Sequence, residues 1–210
     1  PALIKKQYQD SIYTIYSGGD DFCLIGAYEK VIAFANELNA KFNEFCAKNP
    51  DIHFSAAINL VHPKSPIRFA ILDTEEKLGE AKNPKLKKDN LYLFETIAKW
   101  RKIPILMKFA KQIDDWLGKD TGITTQFLYR LLAYHEMYLH TQGEKATVQD
   151  YMYDALLHYN IKRNIEKPKH NDRLSELEIN QLRTISTIDG ESILPYLRIP
   201  VCYELYKHRK

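Results

Sequence analysis

The residues best suited to chemistry in this 210-residue chain lie in one short run, Tyr16-Ser17-Gly18-Gly19-Asp20-Asp21-Phe22. Two glycines let a backbone approach a phosphate with no Cβ in the way. Two adjacent carboxylates at a turn offer hard oxygen ligands for Mg²⁺ or Mn²⁺. Mg²⁺ commonly binds through one or two carboxylates plus substrate phosphates, so the run suits a nucleoside triphosphate. Two such ions about 3.5–4 Å apart clamp the attacking and leaving oxygens of an in-line displacement. The competing reading is a plain solvated hairpin turn, because Gly and Asp are ordinary turn residues.

Elements on either side must hold this run in place. Ser11–Ser17 is rich in β-branched and aromatic residues and reads as a strand. Phe22–Ala27 reads as its hairpin partner across the glycine turn. Both strands are continuously apolar rather than alternating, which predicts burial on both faces at the centre of a sheet. Helical periodicity follows over Tyr28–Lys48 and ends at Asn49-Pro50. His53–Val61 reads as a third strand, Ile67–Lys82 as a helix, and Asn90–Phe94 as a short alternating strand. The order β-β-α-β-α-β is an incomplete ferredoxin-like pattern, with no room before Ser11 for a leading strand and helix. After Trp100 the strand signals stop. Helices are expected over Pro104–Leu117, Thr124–His140, Val148–Ile165, Leu174–Ser186 (opened by Asp172 as cap) and Ile193–His208, the last broken around Pro195 and Pro200. The division expected is therefore residues 1–100 and 101–210.

Composition excludes several classes. A 45% hydrophobic, 27% charged chain with 8 Gly and 9 Pro is neither disordered nor fibrous. No apolar run reaches the roughly 18 residues that a membrane helix needs, and the first residues carry no secretory h-region. Three cysteines, Cys23, Cys46 and Cys202, lie far apart without a CxxC, which suits a reducing cytoplasm. The net charge of +3 lies wholly in the second half: residues 1–100 hold 13 basic and 13 acidic side chains, residues 101–210 hold 17 and 14. That excess is too small to announce a nucleic-acid binder.

YSGGDDF, HFSAAINLVHP (53–63), EEKLGEAK (75–82) and KKDNLYLFETIAKW (87–100) resemble, in that order, the second palm domain of the large subunit of type III CRISPR effector complexes. That family is similar to the GGDEF diguanylate cyclases. The resemblance is strong over about residues 11–100. Over 101–210 it rests on position and helical character alone. It implies an α+β fold, an incomplete ferredoxin-like or GGDEF-type palm followed by an all-α domain. It also implies metal-dependent nucleotidyl transfer that converts ATP to cyclic oligoadenylates in antiviral defence, when the complex holds target RNA. On this resemblance Asp20 and Asp21 are the catalytic metal ligands for Mg²⁺ or Mn²⁺. Ser17, Gly18 and Gly19 line the ATP site, and Lys82 contacts the triphosphate. Other subunits of the complex, guide RNA and target RNA are the implied partners, and the cytoplasm the implied location. The family's chain is several times longer and carries an HD nuclease, a first palm and a zinc-binding region. Related palms also place a metal-binding carboxylate on a first strand that this chain lacks. A C-terminal fragment, inactive alone, is therefore expected. Two alternatives stand beside it: a GGDEF-like cyclase making a cyclic dinucleotide, and a non-catalytic assembly module that binds partner subunits and RNA.

Other groups have plainer readings. His135 and His140 are five apart, about 140° around a helix, and cannot share a metal as an i, i+4 pair does. Lys82, Lys85, Lys87 and Lys88 form a basic cluster after a helix C-terminus, suited to dipole compensation or to phosphate contact. Lys162, Arg163, Lys167, Lys169, His170 and Arg173 read as a solvated basic loop, or alternatively as an RNA contact. Of Tyr129, Tyr134, Tyr138, Tyr151, Tyr153 and Tyr159, several read as core residues with polar tips, and an exposed subset as an interface that would suit a subunit of a larger complex. Cys23 reads as a small core hydrophobe.

Overall fold

The computed structural model describes residues 7–19, 21–86, 88–167, 171–185 and 193–209. The chain divides into two compact units, residues 1–103 and 104–210. The first is mixed α+β and the second is built from helices.

In the first unit, β1 (Ile12–Gly18) and β2 (Asp21–Gly26) form an antiparallel two-stranded ribbon. A bulge between Thr14 and Tyr16 shifts the register, leaving Tyr16 opposite Cys23, Ser17 opposite Phe22 and Gly18 opposite Asp21. Helix α1 (Tyr28–Phe45) follows and packs against β2. A second sheet has the order β3-β4-β5, with β3 (Ala56–Ile58) parallel to β4 (Asn90–Leu93) and β4 antiparallel to β5 (Thr96–Lys99). Helix α2 (Ile67–Ala81) makes the crossover from β3 to β4 and packs on both. Every residue of β4 is buried, as expected of a strand with neighbours on both edges and a helix over one face. Trp100 seals the unit: its indole N–H donates to the Phe54 carbonyl at 2.9 Å, and its ring lies 5.2 Å from that of Phe54. Phe54 in turn meets Phe42 of α1 edge-on at 5.2 Å.

The ribbon departs from the sequence expectation. Its strands are not buried on both faces. Ile12 is the only residue of either strand that is fully buried, while Tyr13, Tyr16 and Phe22 are 71%, 57% and 46% exposed. The reason is topological: among the described residues each strand has only the other as ladder partner, so a continuously apolar run does not become a central strand. Cys23 is half-buried rather than buried. Burial and then the negative charge of Glu75 push its thiol pKa up, away from the thiolate.

Boundaries moved too. β3 is three residues long, and α1 ends at Phe45, where Ala47 and Lys48 turn into the left-handed region at φ 52° and 57°. β5 was not anticipated. It follows a two-residue turn in which Phe94 and Glu95 take φ 49° and 58°. Such turns ordinarily announce themselves by Asn-Gly or Asp-Gly.

In the second unit, α3 (Ile103–Leu117) buries Leu106, Phe109, Ala110, Ile113 and Trp116 in one stripe at helical spacing. α4 (Thr125–Thr141) is capped by Thr124, whose hydroxyl accepts from the Phe127 N–H. The predicted helix over 148–165 is divided. A 3₁₀ turn, Asp150–Met152, leads into α5 (Tyr153–Ile161), which runs out into a π-helical stretch, Lys162–Glu166. α6 (Glu176–Arg183) is capped by Ser175, not Asp172: the Ser175 hydroxyl accepts from the Glu178 N–H, and the Glu178 carboxylate accepts from the Ser175 N–H, a reciprocal capping box. Glu178 also accepts the Trp116 indole N–H at 2.9 Å, which ties α6 to α3. α7 (Arg198–Lys207) follows a 3₁₀ turn at Leu194–Tyr196 and tolerates Pro200 in its first turn, where no N–H partner is needed. None of the described helices is long and apolar enough to cross a membrane.

Candidate functional site

The ladder of the ribbon ends at the pair Gly18–Asp21, so the Gly-Gly-Asp-Asp run sits at the tip. Gly19 adopts φ +62°, a left-handed conformation that glycine takes at little cost and that a side chain would strain, although among the described residues beyond its chain neighbours no atom lies within 4 Å of where its Cβ would be. At Gly18 a Cβ would come within 2.7 Å of the Tyr16 phenol oxygen, whose hydroxyl donates to the Gly18 carbonyl at 3.4 Å. Ser17 and Asp21 are exposed. Among the described residues the Asp21 carboxylate has no hydrogen bond or ion pair, so its oxygens are available to a ligand. Asp20 lies outside the described residues.

The turn thus brings Ser17, Gly18, Gly19 and Asp21 together. Lys82 belongs to another element. It is the exposed C-cap of α2, its N–H donating to the Leu78 carbonyl at 2.9 Å. No described contact places Lys82 in the turn. What links the two regions is electrostatic: Glu75, on α2, acts on Cys23 of β2. The basic segment after α2 is held from below. The Lys99 ammonium donates to the Leu86 and Lys88 carbonyls at 2.9 and 2.6 Å, and the buried Asn90 amide donates to the Ala81 carbonyl at 2.8 Å. Lys82, Lys85 and Lys88 therefore stand exposed on an anchored loop, while Lys87 lies outside the described residues.

Sequence reasoning missed one part of this site. Tyr16 and Phe22 flank the tip as exposed rings, available for stacking on a flat base, while Tyr13 is exposed farther back on the ribbon, opposite Ile25. The signal was present in the use of aromatics, rather than Val or Ile, at these positions.

A sequence model of the Cas10/Cmr2 second palm domain matches residues 2–92, which contain the ribbon, both helices of the unit and β4 as far as Tyr92. That segment is similar to the Cas10/Cmr2 second palm. Curated relatives agree on the large subunit of subtype III-A. The chain is 38% identical over 79 residues to the CRISPR system single-strand-specific deoxyribonuclease Cas10/Csm1 of Methanocaldococcus jannaschii, covering 38% of this chain and 10% of that protein. It is 36% identical over 131 residues to the protein of the same description from Enterococcus italicus, covering 58% and 16%. The Mycobacterium tuberculosis counterpart is 30% identical over 122 residues, covering 56% and 15%. The chain therefore spans only a small part of the length of these relatives. A match to 58% of the chain is longer than the palm segment, so the likeness to the Enterococcus protein continues past residue 92.

The remaining candidate groups fall out plainly. His135 is buried with Nδ1 2.9 Å from the Leu194 carbonyl, whereas His140 faces Asp150 at 3.2 Å, so the two share nothing. Of the tyrosines, Tyr134 is buried, and Tyr129, Tyr151 and Tyr159 are exposed. Arg163 lies over the Tyr159 ring at 6.0 Å and donates to its hydroxyl. Lys162 and Arg173 are likewise exposed, and Lys169 and His170 lie outside the described residues.

Proposed function

We propose that this chain carries the nucleotidyltransferase palm of a type III CRISPR large subunit, which converts ATP to cyclic oligoadenylates. The observation that carries the reading is an exposed, unengaged Asp21 at the tip of a Gly-Gly turn in a Cas10/Cmr2 second palm. The proposed palm arrangement is of the GGDEF type, with the ribbon as its catalytic hairpin. The donor set fits a divalent cation of the Mg²⁺ or Mn²⁺ class, since two adjacent carboxylates, of which Asp21 is exposed, supply hard oxygens and leave positions for phosphate oxygens. Asp20 and Asp21 would hold it. When bound, such an ion neutralises charge at the α-phosphate as a 3′-hydroxyl attacks and pyrophosphate leaves.

The chain's own residues have separate tasks. Gly18 and Gly19 put no side chains of their own in the way, so their backbone N–H groups can meet the triphosphate directly. Ser17 borders the same edge. Lys82 and its neighbours supply positive charge to the phosphates from the end of α2. Tyr16 and Phe22 offer faces to adenine. Guide RNA, target RNA and other subunits of the complex are the proposed partners, and the cytoplasm the proposed setting.

A second reading has its own support: the exposed Tyr13, Tyr16, Phe22 and Ile25 also suit an assembly module that only binds neighbouring subunits. Titration of the 210-residue chain with ATP in the presence of Mn²⁺ separates the two. Saturable binding that Asp20→Asn with Asp21→Asn weakens roughly tenfold or more (about 1.4 kcal/mol) supports the catalytic palm. Absent binding, or binding indifferent to both substitutions, favours the assembly module. A clear preference for GTP would select a cyclic dinucleotide cyclase.

A further inference from the structure

The last turn of α7 carries Glu204 and His208 at i, i+4, which places both side chains on one face of the helix. α3 presents Asp114 to the same point. One ligand atom from each of the three lies within 4.8 Å of the other two. His208 Nε2 is 2.8 Å from Asp114 Oδ1 and 3.7 Å from Glu204 Oε2. In a tetrahedron of about 2.1 Å bonds, ligand atoms stand roughly 3.4 Å apart, so these separations bracket a metal shell. Glu204 is only 1% exposed and aims its carboxylate into this group. Burying an ionised carboxylate is costly unless it meets positive charge. The cluster stands at the C-terminal end of α7, where the helix dipole also favours a cation.

A cation is already there. Lys207 Nζ lies 2.5 Å from Asp114 Oδ2 and 3.8 Å from Glu204 Oε2. The ordinary reading is thus an ion-pair clamp between α7 and α3. In that clamp His208 also pairs with Asp114, at 2.8 Å. Lys207 is 38% exposed on a flexible stem, and His208 is 35% exposed, so the ammonium can swing into solvent and an ion can enter.

We propose that Asp114, Glu204 and His208 form a binding site for a Zn²⁺-class ion, with Lys207 as the counter-ion that the metal displaces. One imidazole with two carboxylates suits a borderline metal that accepts nitrogen and oxygen, and not Mg²⁺, which keeps an octahedral oxygen shell. Three protein ligands leave a fourth position to water. The site is separate from the GGDD turn and does not depend on that turn's function.

The test is calorimetric titration of the metal-stripped 210-residue chain with ZnCl₂, beside MgCl₂. The expected result is one saturable Zn²⁺ site that His208→Ala weakens roughly tenfold or more and that Lys207→Ala tightens, with no competition from Mg²⁺. The Lys207 variant separates the two readings, because a pure clamp gives no reason for tighter metal binding when the ammonium is removed. Because His208 is on the surface, its variant keeps the test valid even if Glu204→Gln fails to fold. Zn²⁺ binding unchanged in His208→Ala, or no tighter in Lys207→Ala, overturns the proposal.

Discussion

Asn90→Leu tests how the first unit's basic segment is held. Asn90 is 2% exposed, and its amide donates to the Ala81 carbonyl at 2.8 Å. Ala81 is the last residue of α2 and fully buried. Its carbonyl is one of those that helix geometry leaves without an intrahelical partner. Leucine has nearly the shape of asparagine but no donor, so the substitution strands a buried acceptor at about 1–3 kcal/mol. For a unit of this size a loss of about 2 kcal/mol lowers the melting temperature by roughly 8–16 °C. The chain supplies its own assay, for it has two tryptophans, Trp100 in the first unit and Trp116 in the second. In a Trp116→Phe background the fluorescence transition belongs to Trp100 and reads the palm alone. Asn90→Asp sharpens the test. A buried Asp has its folded pKa raised by desolvation, and only its protonated form donates to the Ala81 carbonyl. Its contribution is therefore present below the unfolded pKa and lost as pH rises through the folded value. Asn90→Asp should approach the parent in acid and fall below it in alkali. A shift under about 1 °C for Asn90→Leu, or no pH dependence for Asn90→Asp, would refute the claim that this one bond closes the helix end.

Two further outcomes concern the helical unit. Ser175→Ala removes the capping box and should destabilise the unit by about 1 kcal/mol in urea unfolding followed by Trp116, with Ser175→Asp restoring most of it. Burial holds the His135 imidazole below its usual 6.5, so the native state refuses a proton that the unfolded chain accepts, and stability should fall as pH drops from about 7 to 5. His135→Asn, which retains a donor towards the Leu194 carbonyl, should flatten that slope in urea unfolding across the range.

Helix periodicity made most of the second unit legible. The apolar stripe of α3 and the bounds of α4 follow from residue spacing, because burial there is a property of one helix face. What spacing missed were choices between local partners. Asp172 and Ser175 are both good caps, and the decision fell to the residue three positions on: Glu178 completes a box with Ser175 and also takes the Trp116 indole. β5 was hidden because Phe94-Glu95 carries none of the usual signs of a left-handed turn. In the candidate site, the tip residues were legible as a turn, since Gly-Gly-Asp-Asp marks one in any context. Their surroundings were not, because Tyr13, Ile15, Leu24 and Ile25 read alike whether a sheet covers them or not. The zinc-class cluster was open to a reader of i, i+4 pairs, but its third member lies 90 residues away on α3 and only the fold brings it in.

The distribution of burial within the first unit bears on how its chemistry can be tested. Leu91, Leu93, Ala98 and Trp100 place its core in the three-stranded sheet, with Ile32, Phe34 and Ala35 contributed by α1. The ribbon contributes Ile12 alone, so the element that carries the candidate chemistry carries little of the stability. Segments with few buried contacts open at low free-energy cost, and binding sites are drawn from them. Substituting an exposed carboxylate at the tip removes no packing and breaks no described hydrogen bond. An Asp21→Asn chain should therefore keep the core intact, and a loss of ATP binding in it would report on ligation and charge rather than on unfolding.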